Sequence, residues 1–160
     1  MTSNDITIRF SQENEEHSIN QVHTWLREHN WAANREFMER VTRPDHNIEK
    51  LILFAEVATE DGAGSRVVGG LIARIELLWL RISIMATDPD WRSQGVGSAL
   101  LSEAERIALS HGCRYSYVDT MDYQAPDFYE ARGYRCVGTI PDWDSCGHTK
   151  TFFVKEIGLG

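Results

Sequence analysis

The sequence predicts an α/β fold of the α+β kind: a mixed, largely antiparallel central sheet flanked by helices. Three observations lead there. Apolar, β-branched runs at 51–59 and 66–77 flank Asp61-Gly62-Ala63-Gly64, the pattern of a hairpin and its turn. A third run, 79–87, follows at once, so consecutive strands return on one another and a doubly wound parallel sheet is excluded. Only after these strands does the strongest helical pattern begin, at Gly95.

In chain order, Ile6, Ile8 and Phe10 alternate with Thr7 and Arg9, the period of a short half-buried strand. Ser11 with Glu13, Glu15 and Glu16 supplies a helix start, and Ile19, Val22 and Leu26 follow at helical spacing. A second helix is expected over 32–41, ending before Pro44. The three sheet runs come next, the last closed by Asp88-Pro89. From Gly95 to His111, the residues Val96, Leu100, Ala104 and Ile107 form one stripe, and Gly112 suits a C-cap. A strand over 115–119, a short helix over 125–132 stopped by Gly133, and closing strands over 134–140 and 149–157 complete the order β-α-α-β-β-β-α-β-α-β-β. No repeat, low-complexity tract or linker interrupts it, so the expectation is a single domain over residues 1–160.

At 160 residues, 42% of them hydrophobic, the chain is long enough for a core that needs no disulfide or metal. Lys plus Arg number 16 against 24 Asp plus Glu, a net charge of −8 spread evenly, with no basic run. Phosphate backbones call for a basic stripe, so nucleic acid is excluded as the main partner. The polar residues 1–16 lead to the expectation of no secretory signal, and the longest apolar run, Leu51–Ala55, is far below a membrane span. Cys113, Cys136 and Cys146 are odd in number and form no C-x-x-C, as expected of free thiols in a reducing compartment. A cytoplasmic location away from membranes follows as the expectation. The six histidines are scattered, and Cys146-x-His148 lacks further ligands at metal spacing, so no metal is expected.

The segment from Asp88 to Ser98, DPDWRSQGVGS, carries the chemistry. It follows a strand and opens the best helix, so its glycines let backbone N–H groups approach a ligand where the helix start adds unpaired donors and positive potential. That combination suits a pyrophosphate, with Arg92 adding a fixed charge. A dinucleotide fingerprint is excluded, because Leu100 stands where it needs its third glycine, and no Gly-Lys-Ser/Thr occurs.

Arg92-x-x-Gly95-x-Gly97 after a strand resembles the acyl-CoA-binding motif of the GNAT superfamily of N-acetyltransferases. One helix and one strand later, Ala125-Pro126-Asp127-Phe128-Tyr129-Glu130-Ala131-Arg132-Gly133-Tyr134 resembles that superfamily's A-x-x-x-Y-x-x-x-G-[FY] segment. The run Tyr123 to Tyr129 is similar to small bacterial members. The resemblance implies a GNAT-like sheet and transfer of an acetyl group from acetyl-CoA to a primary amine in a ternary complex. It implies that Met85, Ala86 and Thr87 pair with the pantetheine arm, and that Arg92, Ser93, Gln94, Gly95, Val96, Gly97 and Ser98 hold the pyrophosphate. It also implies that Asp122, Ala125 and Phe128 adjoin the cofactor, and that Tyr129 sits by the sulfur and protonates the leaving thiolate.

Two positions depart from the family pattern. Asp122 stands where many relatives have a cofactor-contacting asparagine, and Ser83 stands where close relatives often have an acid that deprotonates the amine. Glu76 is the leading candidate for that base, with Asp119 and Asp122 the other acids within reach. The expected acceptor is a small-molecule amine. The alternatives are an acetyltransferase of protein or peptide amines and a non-catalytic acyl-CoA-binding regulatory domain. Edge-strand pairing into a homodimer, common among look-alikes, is a further expectation.

Overall fold

The structure, a computed structural model, describes residues 6–44, 46–59 and 63–158. The chain divides into two compact units, Met1–His46 and Asn47–Gly160. In the first, α1 (Glu16–Ala33) is followed at once by α2 (Arg35–Val41). Asn34 makes the break: its backbone leaves the helical region at φ −146° and ψ 68°, its side chain accepts the Phe37 N–H at 3.2 Å, and its own N–H returns to the Asn30 carbonyl at 2.8 Å. Ala32 and Ala33, expected to open the second helix, therefore finish the first, because an N-cap asparagine restarts the helix after them.

The strand expected at Ile6–Phe10 does not form. Its apolar residues Ile6, Ile8 and Phe10 are 84%, 89% and 86% exposed, and no partner strand pairs with it among the described residues. Alternation gives strand propensity, but a strand is stable only in a ladder with neighbours.

The second unit holds β1 (Glu49–Ala58), β2 (Ser65–Glu76), β3 (Trp79–Thr87), α3 (Val96–Ser110), β4 (Tyr115–Met121), α4 (Pro126–Glu130), β5 (Arg135–Ile140) and β6 (Lys150–Glu156). The strands form one six-stranded sheet in the order β1-β2-β3-β4-β6-β5. All neighbours are antiparallel except β3 and β4, so the expected mixed, largely antiparallel sheet is present, with six strands among the described residues in place of the expected seven. Of the residues expected in the β1–β2 turn, Asp61 and Gly62 lie outside the described residues. Ala58 pairs with Ser65 where the hairpin closes.

Helix α3 lays Leu100, Leu101, Ala104 and Ala108 on the sheet against Leu71, Ala73, Leu80, Ile82 and Phe153. Gly69 of β2 permits this approach, since a Cβ there would meet Val96 Cγ1 at 2.8 Å and the Ala86 carbonyl at 3.2 Å. A polar network stitches the same layer. The Tyr134 hydroxyl donates to Glu105 at 2.9 Å and lies 2.7 Å from the fully buried Ser116 hydroxyl, while Lys155 pairs with Glu105 at 2.7 Å. Among the described residues no helix is long and apolar enough to cross a membrane.

Candidate active site

The site arises where the one parallel pair comes apart. β3 and β4 are in register only from Trp79 with Tyr115 to Ile82 with Val118. Beyond that, β3 continues beside β2 to Thr87, while β4 continues beside β6 to Met121. A bulge helps to turn β3 away: Ile72 faces Ile84 and Ala73 faces Ile82, which leaves Ser83 without a partner on β2. The gap is a cleft of about 740 Å³ walled by 82–87 of β3, Val118 to Thr120 of β4, and the segments that follow each strand.

At one end lies the loop expected to hold phosphate. Asp88 stops β3 and caps a 3-10 turn, Pro89–Trp91, by accepting the Asp90 N–H at 3.0 Å. Gly95, with φ of 86°, then turns the chain into α3. A side chain is strained in that left-handed conformation, which is why glycine stands there. No side chain caps α3, and its first backbone acceptor bond is Ala99 N–H to the Gly95 carbonyl at 2.9 Å. The N–H groups of Val96, Gly97 and Ser98 are therefore left for a ligand. Trp91, Arg92, Ser93, Gly95, Val96, Gly97 and Ser98 all line the cleft. Gln94 does not: its amide turns back to the Asp90 carbonyl at 2.9 Å and braces the 3-10 turn.

The other wall is α4 and the turn before it. Ala125, Phe128 and Tyr129 line the cleft, as do Met85, Ala86 and Thr87 opposite. Tyr129 is only 6% exposed and is caged by Phe128, Tyr134 and Phe153 at centroid distances of 5.2, 5.6 and 6.1 Å. Burial, and secondarily the charge of Asp119, pushes its hydroxyl up to about 12.

The candidate acids separate clearly. Asp119 lines the cleft, and it is the one carboxylate there among the described residues. Lys150 binds its Oδ1 at 2.6 Å, and the Tyr117 hydroxyl donates to Oδ2 at 3.1 Å. Glu76, the leading candidate from sequence, sits instead at the β2–β3 turn, opposite Trp79, between Arg74 and Arg81 at 4.0 and 3.8 Å. The cleft opens at the far end of β3, so that expectation is corrected. Asp122 is corrected too. It leaves the cleft wall to accept the Thr149 N–H at 2.9 Å and meet His148 Nδ1 at 3.1 Å, which ties β4 to the β5–β6 loop. Those partners, the Thr149 amide first, hold its carboxyl below the usual range.

Gln124 and Arg132 are among the cleft residues that sequence reading passed over. Gln124 fixes the end of β4 by accepting from Thr120 Oγ1 at 3.0 Å and the Met121 N–H at 2.9 Å. Arg132 donates to the Phe128 carbonyl at 2.9 Å and to Ser98 Oγ, with its guanidinium 3.6 Å from the Phe128 ring centroid. The Tyr-x-x-x-Gly segment contains Arg132, but its partner lies 34 residues away and has no local signal.

The comparisons agree with this fold. The family model described as an acetyltransferase (GNAT) domain matches residues 50–136, more than half of the chain. The blasticidin-S acetyltransferase of Streptomyces morookaense is 38% identical over 97 residues, covering 60% of this chain and 71% of that protein. A crystal structure of an acetyltransferase from Bacillus cereus superposes with a TM-score of 0.68 at 28% identity, covering 92% of this chain and 97% of that one. An aminoglycoside 6'-N-acetyltransferase complexed with coenzyme A shares the fold at 17% identity, with a TM-score of 0.58 over 94% of this chain and 96% of that one. With its split parallel pair, its glycine loop at the start of α3 and these relatives, the chain belongs to the GNAT family of acetyltransferases.

Proposed function

We propose that this protein transfers the acetyl group of acetyl-CoA to the primary amine of a small molecule. The observation that carries the reading is the parting of β3 from β4, with the uncapped helix donors, Tyr129 and Asp119 all lining the gap. The cradle fits a phosphate-bearing donor: a Cβ at Gly97 would enter the space between Phe128 and Thr87, at 3.4 and 3.7 Å. A glycine there leaves the backbone open to close approach. Relatives named for acetylating blasticidin S and aminoglycosides support a small-molecule acceptor.

Acetyl-CoA, when bound, supplies an activated acetyl thioester for direct attack by the amine. The backbone N–H groups of 96–98 and the guanidinium of Arg92 hold its phosphates. The unpaired edge of 83–87 offers main-chain groups to the extended arm, as an added strand does. Asp119 holds the acceptor amine and takes its proton. A carboxylate has about four lone-pair sites, and Lys150 and Tyr117 occupy only two. Tyr129 donates to the sulfur as negative charge builds there.

The test is calorimetric titration of acetyl-CoA into the wild type and Gly97→Glu, followed by thiol release over a panel of amines. Micromolar binding lost in the variant, together with turnover of a small amine, is expected. Failure of the wild type to bind removes the cofactor reading. Binding with no turnover of any small amine removes the acceptor reading, in favour of peptide amines or a silent binding domain.

A further inference from the structure

Two cations line the cleft among the described residues, Arg92 and Arg132. Arg92 is the cation that the sequence motif singles out for phosphate, whereas Arg132 belongs to the turn after α4. Its surroundings are those of a held, uncompensated charge. The Phe128 carbonyl and the Ser98 hydroxyl fix two of its N–H groups, and the Phe128 ring lies under its plane. No carboxylate pairs with it among the described residues, unlike Arg66, Arg74, Arg81 and Arg106, each of which has an acid within 4.0 Å. A guanidinium carries five donors in a rigid fork, so three remain. Ser98 belongs to the same helix start whose amides are uncapped, so the free donors lie beside those amides.

We propose that Arg132 is a cosubstrate-binding residue that donates to a phosphate of the CoA portion while it clamps α4 onto the first turn of α3. The inference rests on the acetyl-CoA reading and deepens it. An anion on the loop meets two kinds of partner: neutral amides of α3, and a charged fork presented from α4. Arg suits the second role because its planar fork can hold Phe128 and Ser98 and still offer parallel N–H groups outward. One ligand group then fixes the phosphate loop and the short helix that carries Tyr129.

The experiment compares calorimetric Kd values for CoA, and the ratio of kcat/KM for acetyl-CoA to that for S-acetylpantetheine, which has no pyrophosphate. Arg132→Met is expected to weaken CoA binding about 10- to 100-fold, the cost of one charge-assisted hydrogen bond, and to lower the ratio by a similar factor. Arg132→Lys is expected to recover part of both, since it restores charge but not the fork. A CoA Kd and a ratio both unchanged in Arg132→Met overturn the proposal. So does an equal loss of kcat on both donors with Kd kept, which marks a residue that only seats α4. If Arg132→Met fails to fold, Ser98→Ala carries the test: it keeps the cation and removes its loop anchor, and an unchanged CoA Kd there overturns the proposal. A wild type that binds no CoA is a different failure, that of the acetyl-CoA reading itself.

Discussion

The ring of Phe128 lies over the backbone of Gly97: a Cβ at that glycine would stand 3.4 Å from two of its ring carbons. That distance is ordinary van der Waals contact, so Gly97→Ala is expected to fold with its stability kept, while acetyl-CoA binds more weakly because a methyl group fills the cradle. Gly69 is the opposite case. A methyl there meets Val96 Cγ1 at 2.8 Å, the Ala86 carbonyl at 3.2 Å and Leu100 Cδ1 at 3.3 Å, with backbone on one side. Gly69→Ala should cost ~1–3 kcal/mol through overpacking. Urea denaturation and calorimetry on both variants check the pair, and wild-type affinity in Gly97→Ala refutes the loop assignment.

Tyr129 has its hydroxyl pushed up to about 12 by burial and by Asp119, so it stays protonated over the whole working range. An ordinary thiol titrates near 8.5, so full proton transfer from such a phenol is uphill by roughly 5 kcal/mol unless the same burial raises the thiol. Tyr129 therefore works first by hydrogen bonding to the sulfur as charge develops. Tyr129→Phe should lower kcat by roughly 10²–10³ with acetyl-CoA affinity nearly kept. The wild-type rate should show no alkaline limb from this residue below about pH 10. An unchanged kcat in Tyr129→Phe removes it from the mechanism.

Asp119 and Glu76 make a direct contrast. Asp119→Asn keeps the shape but removes the charge that holds the amine, and it leaves Lys150 without its carboxylate. A drop in kcat of roughly 10²-fold is expected, the scale of general-base catalysis. Glu76→Gln should leave kcat unchanged, because Glu76 touches Arg74 and Arg81 and nothing in the cleft. Steady-state kinetics on the two variants decide it, and the reverse ranking returns the role to Glu76.

That contrast also marks how far the sequence could be read. Gly95, Gly97 and Tyr129 were legible because their requirements are local: a left-handed turn, an open helix start, a position within one short helix. Glu76 was misjudged because distance along the chain hides the direction of a strand. It pairs with Trp79, and Thr87 lies eight residues further along β3, about 26 Å at strand rise. Asp122 had the right chain position, but its carboxyl is claimed by Thr149 and His148, 26–27 residues away. Asp119 with Lys150 and Arg132 with Ser98 are likewise pairs that only the fold brings together. Ile6–Phe10 shows the reverse error, since its period matches a strand and its ladder is missing.

Tyr134 is a test of the layer beneath the site. Its hydroxyl bridges the Ser116 hydroxyl at 2.7 Å and Glu105 at 2.9 Å, and its ring meets that of Tyr129 edge-on at a centroid distance of 5.6 Å. Tyr134→Phe leaves Glu105 with Lys155 but strands the fully buried Ser116 hydroxyl. A loss of ~1–3 kcal/mol is expected for that unsatisfied group. Pairing it with Ser116→Ala should recover much of the loss, because removing both partners leaves no buried orphan. Additive losses in the double variant contradict the bridge.

Asp122 gives a pH-dependent outcome whose sign follows from its depressed carboxyl. The Thr149 amide first, then His148, favours the ionised form in the folded chain, while the unfolded value is near 3.9. A group lowered on folding adds stability that is fully present above the unfolded value and is lost as pH falls through the folded one. Asp122→Asn should therefore melt below the wild type at pH 5 to 8, and the gap should close as both are taken down through pH 4 toward pH 2. Asn can still accept the Thr149 N–H, so the part of the gap that closes is the charge's own share. Thermal melts across that range measure it. A gap of constant size would mean that the carboxylate acts only as a neutral acceptor, and that its charge has no part in holding the β5–β6 loop against the end of β4.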